Sequence, residues 1–225
     1  MRRVALSWSG GKDATFALYQ LQAADIDSIT LITTVGEETD RSSMHGVHRD
    51  LYRRQAAAMG LDVRFVALPA GVDNEGYRRT IDALYADLAE TGIDTVAFGD
   101  LQLADVKRFR ESILEQTPLA GRWPIWGMDT AELVDAVIDA GITARVVAVD
   151  TADLDVSLLG RHLDSEFIDD LPPDVDPAGE GGEYHTFVTD GPMFDQPVPI
   201  NLGQTVERSV GDTTVGYQEL ILADK

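Results

Sequence analysis

Cysteine is absent from this 225-residue chain. Sulfur transfer through a persulfide, iron–sulfur chemistry and thiol-based reduction each require a thiolate, which the chain's own residues cannot supply. Cysteine-rich structural zinc sites are excluded for the same reason.

Basic residues are also scarce. The chain has 18 Lys and Arg against 39 Asp and Glu, for a net charge of −21, and its lysines are Lys12, Lys107 and Lys225. A field of this sign repels nucleic acid, which argues against a tRNA-modifying role. The acidic surface suits a high-salt cytoplasm or a GC-rich genome, and composition does not decide between them.

Long apolar runs are missing. No stretch approaches the roughly 20 apolar residues of a membrane span, and no signal-peptide core precedes the first predicted strand. With 44% apolar residues, the chain is expected to be a cytoplasmic globular protein with no membrane partner. Its length allows one large domain or a domain and a half.

Apolar runs alternate with helical patterns through the first two thirds of the chain. Strands are predicted at Val4–Ser7, Ile29–Val35, Val63–Leu68, Thr95–Phe98 and Ala144–Val149. Helices are predicted at Ala14–Ala24, Val47–Met59, Glu75–Glu90, Ala104–Gln116 and Thr130–Ala140. Continuous rather than alternating apolar strands are typical of buried parallel sheets, so this order predicts an α/β fold with a doubly wound parallel sheet.

The last third is different in pattern. A Pro- and Gly-rich loop over Leu171–Gly182 precedes short β-like segments at 184–188, 198–202, 205–210 and 213–222. We therefore predict an ATP-binding domain over residues 1–122 and a smaller α+β substrate-binding domain over residues 123–225.

The most informative segment is Ser9-Gly10-Gly11-Lys12-Asp13, which follows the apolar run Val4-Ala5-Leu6. A strand that opens through Gly-Gly into a helix exposes backbone N–H groups that can hold a phosphate. A Walker A loop is excluded by Leu6 and Asp13 at its required Gly and Ser/Thr positions, and no Gly-x-Gly-x-x-Gly follows the strand. The plainer alternative is a strand-to-helix turn with a solvated Lys-Asp pair.

This segment resembles the PP-loop, Ser-Gly-Gly-x-Asp-Ser, of the ATP pyrophosphatases. In that family the loop holds the β,γ-pyrophosphate of ATP while the α-phosphate is attacked. The chain departs from the pattern at Ala14, where the family has serine, so one hydroxyl is missing from the phosphate site.

A second cluster, Gly179-Glu-Gly-Gly-Glu-Tyr-His-Thr186, combines close-approach glycines with two carboxylates and a hydroxyl. Its chemistry suits Mg²⁺ or a cationic group beside ATP. A flexible linker with solvated acids is the alternative.

Several motifs together resemble the diphthine–ammonia ligase family. They are Ser9–Asp13, Met44-His45-Gly46-Val47, Phe98-Gly99-Asp100 with Arg110-Glu111, Pro124-Ile-Trp126 and residues 179–192. The resemblance runs from Val4 to about Phe194 and implies a PP-loop ATP domain with a carboxyl-terminal domain whose Glu-x-Gly-Gly-Glu-x-x-Thr signature shapes the acceptor site. The Ser43–Val47 and Gly99–Leu101 segments are more similar to the short bacterial-type branch, in which the diphthamide substrate is generally absent.

We assign site residues on this combined basis. The catalytic candidates are Lys12, Asp13 and Asp100, and Asp13 is also the candidate magnesium ligand. The nucleotide candidates are Ser9, Gly10, Gly11, Lys12, Asp13, Thr34 and Gly99. The acceptor candidates are His45, Arg110, Glu180, Gly182, Glu183 and Thr186. For His45 a loop hydrogen bond, and for Arg110 a solvated basic helix face, are the alternatives. Ile81, Leu84, Tyr85 and Leu88 lie at helical spacing and are predicted to be core.

The resemblance implies an ATP- and Mg²⁺-dependent ligase that forms an acyl-adenylate and passes it to ammonia. The acceptor is either diphthine on elongation factor 2 or a small carboxylate, and the sequence leaves a homo-oligomer open. Two other classes are the alternatives: a nucleotide-sensing module of the universal-stress type, whose glycine motif is missing after Gly99, and a tRNA-modifying PP-loop enzyme.

Overall fold

A computed structural model of the chain describes residues 2–42, 44–211 and 213–223. Ser43, part of the bacterial-type segment, and Lys225 lie outside the described residues. Within the described ranges, no helix combines the length and the apolar character that crossing a membrane requires.

The amino-terminal half is built on a five-stranded parallel sheet. Its strands are β1 (Arg3–Ser7), β2 (Ser28–Gly36), β3 (Asp62–Leu68), β4 (Thr95–Ala97) and β5 (Ala120–Arg122). They are arranged in the order β3-β2-β1-β4-β5. The chain crosses from one side of β1 to the other, and a crevice therefore opens at the carboxyl ends of β1 and β4, where doubly wound sheets bind ligands.

Helices connect these strands and continue into the second half. They are α1 (Lys12–Gln22), α2 (Arg49–Ala58), α3 (Asn74–Glu90), α4 (Ala104–Leu114), α5 (Thr130–Asp139) and α6 (Ser165–Asp169), with a 3₁₀ turn at Val156–Leu158. Asp73 and Asp129 cap α3 and α5 by accepting backbone N–H bonds. Gly60, Gly92 and Gly141 have positive φ angles just beyond α2, α3 and α5, the backbone conformation in which glycine commonly ends a helix.

The carboxyl-terminal half contains a four-stranded antiparallel sheet. Its strands are β6 (Thr143–Asp150), β7 (Tyr184–Asp190), β8 (Ile200–Val210) and β9 (Thr213–Leu222), in the order β7-β6-β9-β8. The two segments predicted at 198–202 and 205–210 are one strand, β8, with an irregularity between Leu202 and Thr205. The predicted α/β fold with a smaller second part is thus confirmed.

One predicted strand belongs to a different sheet than expected. The sequence pattern predicts residues 144–149 as a strand of the parallel sheet, but β6 pairs antiparallel with β7 and β9. Its continuous apolar run reflects burial on both faces, because Ala144, Val146 and Val149 are all fully buried. Such a run indicates burial and carries no information on strand direction. The short fifth parallel strand, β5, was not predicted.

The two sheets share a hydrophobic core. One cluster contains Leu6 of β1 together with Val146 of β6 and Phe187 of β7. The parallel sheet ends at Arg122 and the antiparallel sheet begins at Thr143. The division into domains at residue 122 stays a prediction.

Candidate functional site

The loop between β1 and α1 is held by buried hydrogen bonds. Gly10 has φ +72°, and a Cβ at this position would lie 2.6 Å from Gln55 Oε1. The Gly10 carbonyl accepts hydrogen bonds from Gln55 Nε2 (3.0 Å) and from the backbone N–H of Val188 (2.8 Å). Glycine is therefore required at residue 10 both by the left-handed backbone and by the close approach of α2.

The antiparallel sheet completes this loop from the other side. The Lys12 backbone N–H, at the first residue of α1, donates to Thr186 Oγ1 at 3.0 Å. A Cβ on Gly11 would lie 3.0 Å from the Thr186 carbonyl oxygen. Thr186, predicted to bind the acceptor, is thus in direct contact with the predicted phosphate loop.

Lys12 and Asp13 form a partly buried ion pair beside the loop. Lys12 Nζ lies 3.0 Å from Asp13 Oδ1, and only 3% of the Lys12 side chain is exposed. The ammonium group also lies 5.2 Å from the centre of the Tyr184 ring. A buried cation at a helix amino terminus provides strong attraction for a phosphate anion.

A cavity of about 430 Å³ lies in front of the loop and brings most predicted site residues together. The predicted residues that line it are Ser9, Lys12, Asp13, His45, Gly99, Asp100, Arg110, Glu180, Gly182 and Thr186. Tyr184 and His185 line it too, although neither was assigned to the site. Their position in the sequence, between the predicted site residues Glu183 and Thr186, could have indicated that they belong to the site.

A second, more apolar cavity of about 420 Å³ continues from the first. Ser9, His45 and Arg110 line both cavities, and Thr34 lines the second. Its apolar and aromatic walls include Trp8, Ile81, Leu84, Tyr85 and Phe98. The α3 residues predicted as core therefore have a second role, since three of them form a cavity wall.

Gly99 brings β4 against the start of α1. A Cβ on this residue would lie 2.9 Å from both the Cα and the N atom of Ala14. Backbone atoms cannot move aside as a flexible side chain can, so only glycine allows this approach. Gly99 lies at the site as predicted, with a packing role in addition.

Asp100 and Arg110 face each other at the cavity edge. Arg110 Nε lies 2.9 Å from Asp100 Oδ2, and Trp123 Nε1 donates to the same oxygen at 3.1 Å. The guanidinium carbon of Arg110 lies 4.4 Å from the Phe98 ring centre. These contacts orient Arg110 towards the cavities and compensate the Asp100 charge.

The two glutamates of the second cluster are placed differently. Glu180 lines the cavity, and its Oε2 is buried without a hydrogen-bond partner among the described residues. Burial, together with the nearby Asp13 charge, raises the pKa of Glu180 to about 7. The Glu183 carboxylate instead accepts a hydrogen bond from the Asp176 backbone N–H at 3.2 Å, and Glu183 is not among the residues lining the cavity.

Two imidazoles from the two halves of the chain meet above the loop. The rings of His45, after β2, and His185, on β7, have centres 4.8 Å apart. Burial lowers the pKa of His185 to about 4, with Lys12 adding to the effect. Burial, His185 and Lys12 lower the pKa of His45 well below its ordinary value. Both rings are therefore uncharged at neutral pH.

Ligands for a metal ion are few. Within the ranges that the structure describes, no group of three or more His, Asp or Glu side chains is arranged to hold one. The assignment of Mg²⁺ to Asp13 stays a prediction. A magnesium ion here would take most of its ligands from phosphate oxygens and water, as is usual for nucleotide sites.

Family models match most of the chain. The model described as the diphthamide synthase N-terminal domain matches residues 1–120, and the model described as the diphthamide synthase C-terminal domain matches residues 129–220.

Curated relatives match over similar lengths. The diphthine–ammonia ligase of Homo sapiens is 26% identical over 252 residues, covering 99% of this chain and 93% of the relative. That of Danio rerio is 29% identical, covering 93% of this chain and 90% of the relative. That of Schizosaccharomyces pombe is 26% identical and is much longer, because the match covers 96% of this chain but 39% of the relative.

Solved structures are more distant. A protein described as a predicted subunit of a tRNA methyltransferase from Methanocaldococcus jannaschii has a TM-score of 0.43 at 14% identity, covering 69% of this chain and 81% of that one. The U34-tRNA thiolase of Methanococcus maripaludis, solved with its [4Fe-4S] cluster, has a TM-score of 0.39 at 16% identity, covering 61% and 55%. Likeness at this level has no bearing on function.

Proposed function

Because this chain belongs to the diphthamide synthase family, we propose that it is an ATP-dependent carbon–nitrogen ligase that adenylates a substrate carboxylate and then transfers ammonia to it. The observation that carries the proposal is the single cavity that joins the Lys12–Asp13 loop to Glu180 and Thr186. A reaction between a nucleotide and an acceptor needs both to be held within bonding distance.

ATP binds across the two cavities in this proposal. The loop of Ser9–Asp13 holds the terminal phosphates on its backbone N–H groups, and Lys12 neutralises part of their charge. The adenosine portion occupies the apolar cavity beside Thr34 and Phe98. The sizes of the cavities, about 430 and 420 Å³, suit a ligand of this kind.

Asp13 fits a role beside Mg²⁺ because carboxylate oxygen is the ligand type that this ion prefers. When bound, the ion supplies further charge compensation to the phosphates. Lys12 orients Asp13 through their ion pair.

The residues of the chain mainly position the reactants and compensate charge. The substrate carboxylate attacks the α-phosphorus of ATP, pyrophosphate leaves, and the resulting acyl-adenylate loses AMP to ammonia, giving an amide and a proton. Lys12 and the loop N–H groups stabilise negative charge on the departing pyrophosphate. Arg110, held by Asp100, is placed to orient an acceptor carboxylate or a phosphate.

The acceptor follows from the relatives, which are named diphthine–ammonia ligases. We propose a diphthine-type carboxylate as the acceptor class, with a small free carboxylate as the alternative if the chain belongs to the bacterial-type branch. Glu180, Gly182 and Thr186 line the same cavity as the loop, which supports their proposed role in holding the acceptor.

The test is the product partition from ATP, Mg²⁺ and ammonium, with and without diphthine-bearing elongation factor 2 or an extract of the source cells. AMP and pyrophosphate formed only with acceptor, and lost in Asp13→Ala, are expected. Asp135→Ala on the exposed face of α5 is the matched control and should retain activity. ADP and phosphate as products, or ATP binding without turnover, would overturn the mechanism, and AMP formation that requires bulk tRNA would favour a tRNA-modifying enzyme.

A further inference from the structure

The His45–His185 pair is the part of the cavity that the proposed reaction leaves unused. The two rings come from opposite halves of the chain, yet their centres are 4.8 Å apart and both side chains line the cavity of Lys12 and Asp13. His45 Nε2 lies 3.2 Å from where a Cβ on Gly11 would be. One imidazole therefore lies directly over the predicted phosphate loop.

Both rings lie close to charged side chains. Lys12 and Asp13 act on His185, while His185 and Lys12 act on His45. Glu180 lines the same cavity. In the absence of a ligand, burial and the Lys12 cation keep both imidazoles uncharged, because a second positive charge there would be poorly solvated and repelled.

A bound polyphosphate reverses this balance. It brings several negative charges within reach of Lys12 and of both rings, and opposite charge at short range favours the protonated imidazole. A protonated imidazole donates hydrogen bonds from both ring nitrogens, so one ring can bind phosphate oxygen while remaining fixed by its surroundings.

We propose that His45 and His185 belong to the phosphate site, where they hold the polyphosphate of the nucleotide together with Lys12 and take up a proton when that anion binds. This inference rests on the proposed function in so far as the ligand is ATP. It assigns to His45 a phosphate oxygen in place of the acceptor, and it adds His185 to the site.

An anion at this position could come from the nucleotide or from the acceptor carboxylate. The loop favours the nucleotide, because His45 Nε2 approaches Gly11 and because Thr186, next to His185, accepts the Lys12 backbone N–H. His45 thereby lies against the amino-terminal cap of α1, and His185 lies against His45 in the same cavity.

Isothermal titration calorimetry with a non-hydrolysable α,β-methylene analogue of ATP, and separately with inorganic pyrophosphate, tests the inference. Titrations at pH 6.5 in buffers of different ionisation enthalpy give the number of protons taken up per ligand. We expect the wild type to take up about one proton more per ligand than the histidine variants described below, because ionisation of the ligand's own phosphate is common to all of them. By linkage, affinity then rises by up to about tenfold for each unit that the pH falls.

His45→Gln and His185→Gln should lose the proton uptake and bind both ligands about ten- to a hundredfold more weakly, the effect of losing one charge-assisted hydrogen bond. Adenosine, which lacks phosphate, should bind all variants equally, and this shows that the fold is retained. His162→Gln, an exposed histidine in the carboxyl-terminal half, is the matched control.

Three results would overturn the inference. The wild type could bind its ligands without this proton uptake, or the variants could bind pyrophosphate and the analogue as tightly as the wild type. The variants could also lose as much affinity for adenosine as they lose for the two phosphate ligands. The second result would return the pair to the acceptor carboxylate. A wild-type protein that binds no nucleotide at all would overturn the proposed function as well, so the two failures are distinguishable.

Discussion

Gln55 of α2 ties three separate segments together at the back of the phosphate loop. Its side chain is fully buried, its Oε1 accepts from Trp8 Nε1 at 3.0 Å, and its Nε2 donates to the carbonyls of Gly10 (3.0 Å) and Val188 (2.6 Å). Gln55→Leu keeps a similar volume but removes all three bonds. The variant therefore measures what this junction contributes to stability.

The expected loss of stability follows from the polar groups that the substitution leaves without a hydrogen-bond partner. The buried indole N–H of Trp8 loses its partner, at a cost of about 1–3 kcal/mol, and each carbonyl loses a donor worth about 1 kcal/mol. The Gly10 carbonyl still has the Val188 N–H, which limits its loss. We expect Gln55→Leu to lower the free energy of unfolding by about 2–4 kcal/mol.

Gln55→Glu adds a dependence on pH. An ionised carboxylate can accept from Trp8 but cannot donate to the two carbonyls, so burial should raise its pKa in the folded state above the unfolded value of about 4.3. A raised folded-state pKa gives stability that is present below the unfolded pKa and lost as the pH rises through the folded pKa. The free energy of unfolding of Gln55→Glu should therefore lie further below that of the wild type at pH 8 than at pH 5.

Urea denaturation followed by circular dichroism at both pH values measures these differences. Gln20→Leu on the exposed face of α1 is the control for the chemical change and should stay within about 0.5 kcal/mol of wild type. A Gln55→Leu deficit below about 1 kcal/mol, or a Gln55→Glu deficit that does not shrink at pH 5, would refute the reasoning.

The other predictions concern the cavity. Gly99→Ala should destabilise the fold by about 1–3 kcal/mol in thermal or urea denaturation, because its Cβ would meet the Ala14 backbone at 2.9 Å; a neutral effect would mean that β4 and α1 separate easily. Wild-type stability should fall by about 2 kcal/mol from pH 7 to pH 5 through His185 alone, since a pKa lowered to about 4 leaves the unfolded chain binding more protons in this range. His185→Gln should flatten that slope in urea titrations, and an unchanged slope would contradict the assignment. Arg110→Lys should raise the KM for ATP about tenfold in the ligase assay. Lysine lacks the planar guanidinium group that stacks on Phe98 while it pairs with Asp100. An unchanged KM would place Arg110 outside the nucleotide site.

Features set by neighbouring residues were predictable from the sequence. The strand, loop and helix around Ser9–Asp13 depend on backbone conformation within a few positions, and they lie where the sequence predicts them. The approach of Gly99 and Asp100 to the loop also followed, because parallel strands place their carboxyl ends at one edge. Arg110, on α4, was assigned through the family resemblance.

Features that depend on distant partners were not predictable. The apolar run of β6 reports its burial but not its antiparallel neighbours, and β5 has only three residues, Ala120–Arg122, with no apolar pattern. Gln55 has no local signal at all, since its partners lie 45 and 133 residues away. The direction of Glu183, turned to the Asp176 backbone, likewise depends on the fold of the glycine-rich loop.

The contact between Thr186 and Lys12 has a consequence for synthesis of the chain. The two residues are 174 positions apart, so the loop at Lys12 acquires this contact only after Thr186 has also left the ribosome. Contacts of such long range form late in folding, because closing the intervening chain costs entropy before any contact stabilises it. A nascent chain that ends before β7 can form its early parallel strands but lacks the Thr186 and Val188 contacts that fix the loop. The predicted phosphate loop therefore reaches its final geometry only when β7 is in place, late in synthesis.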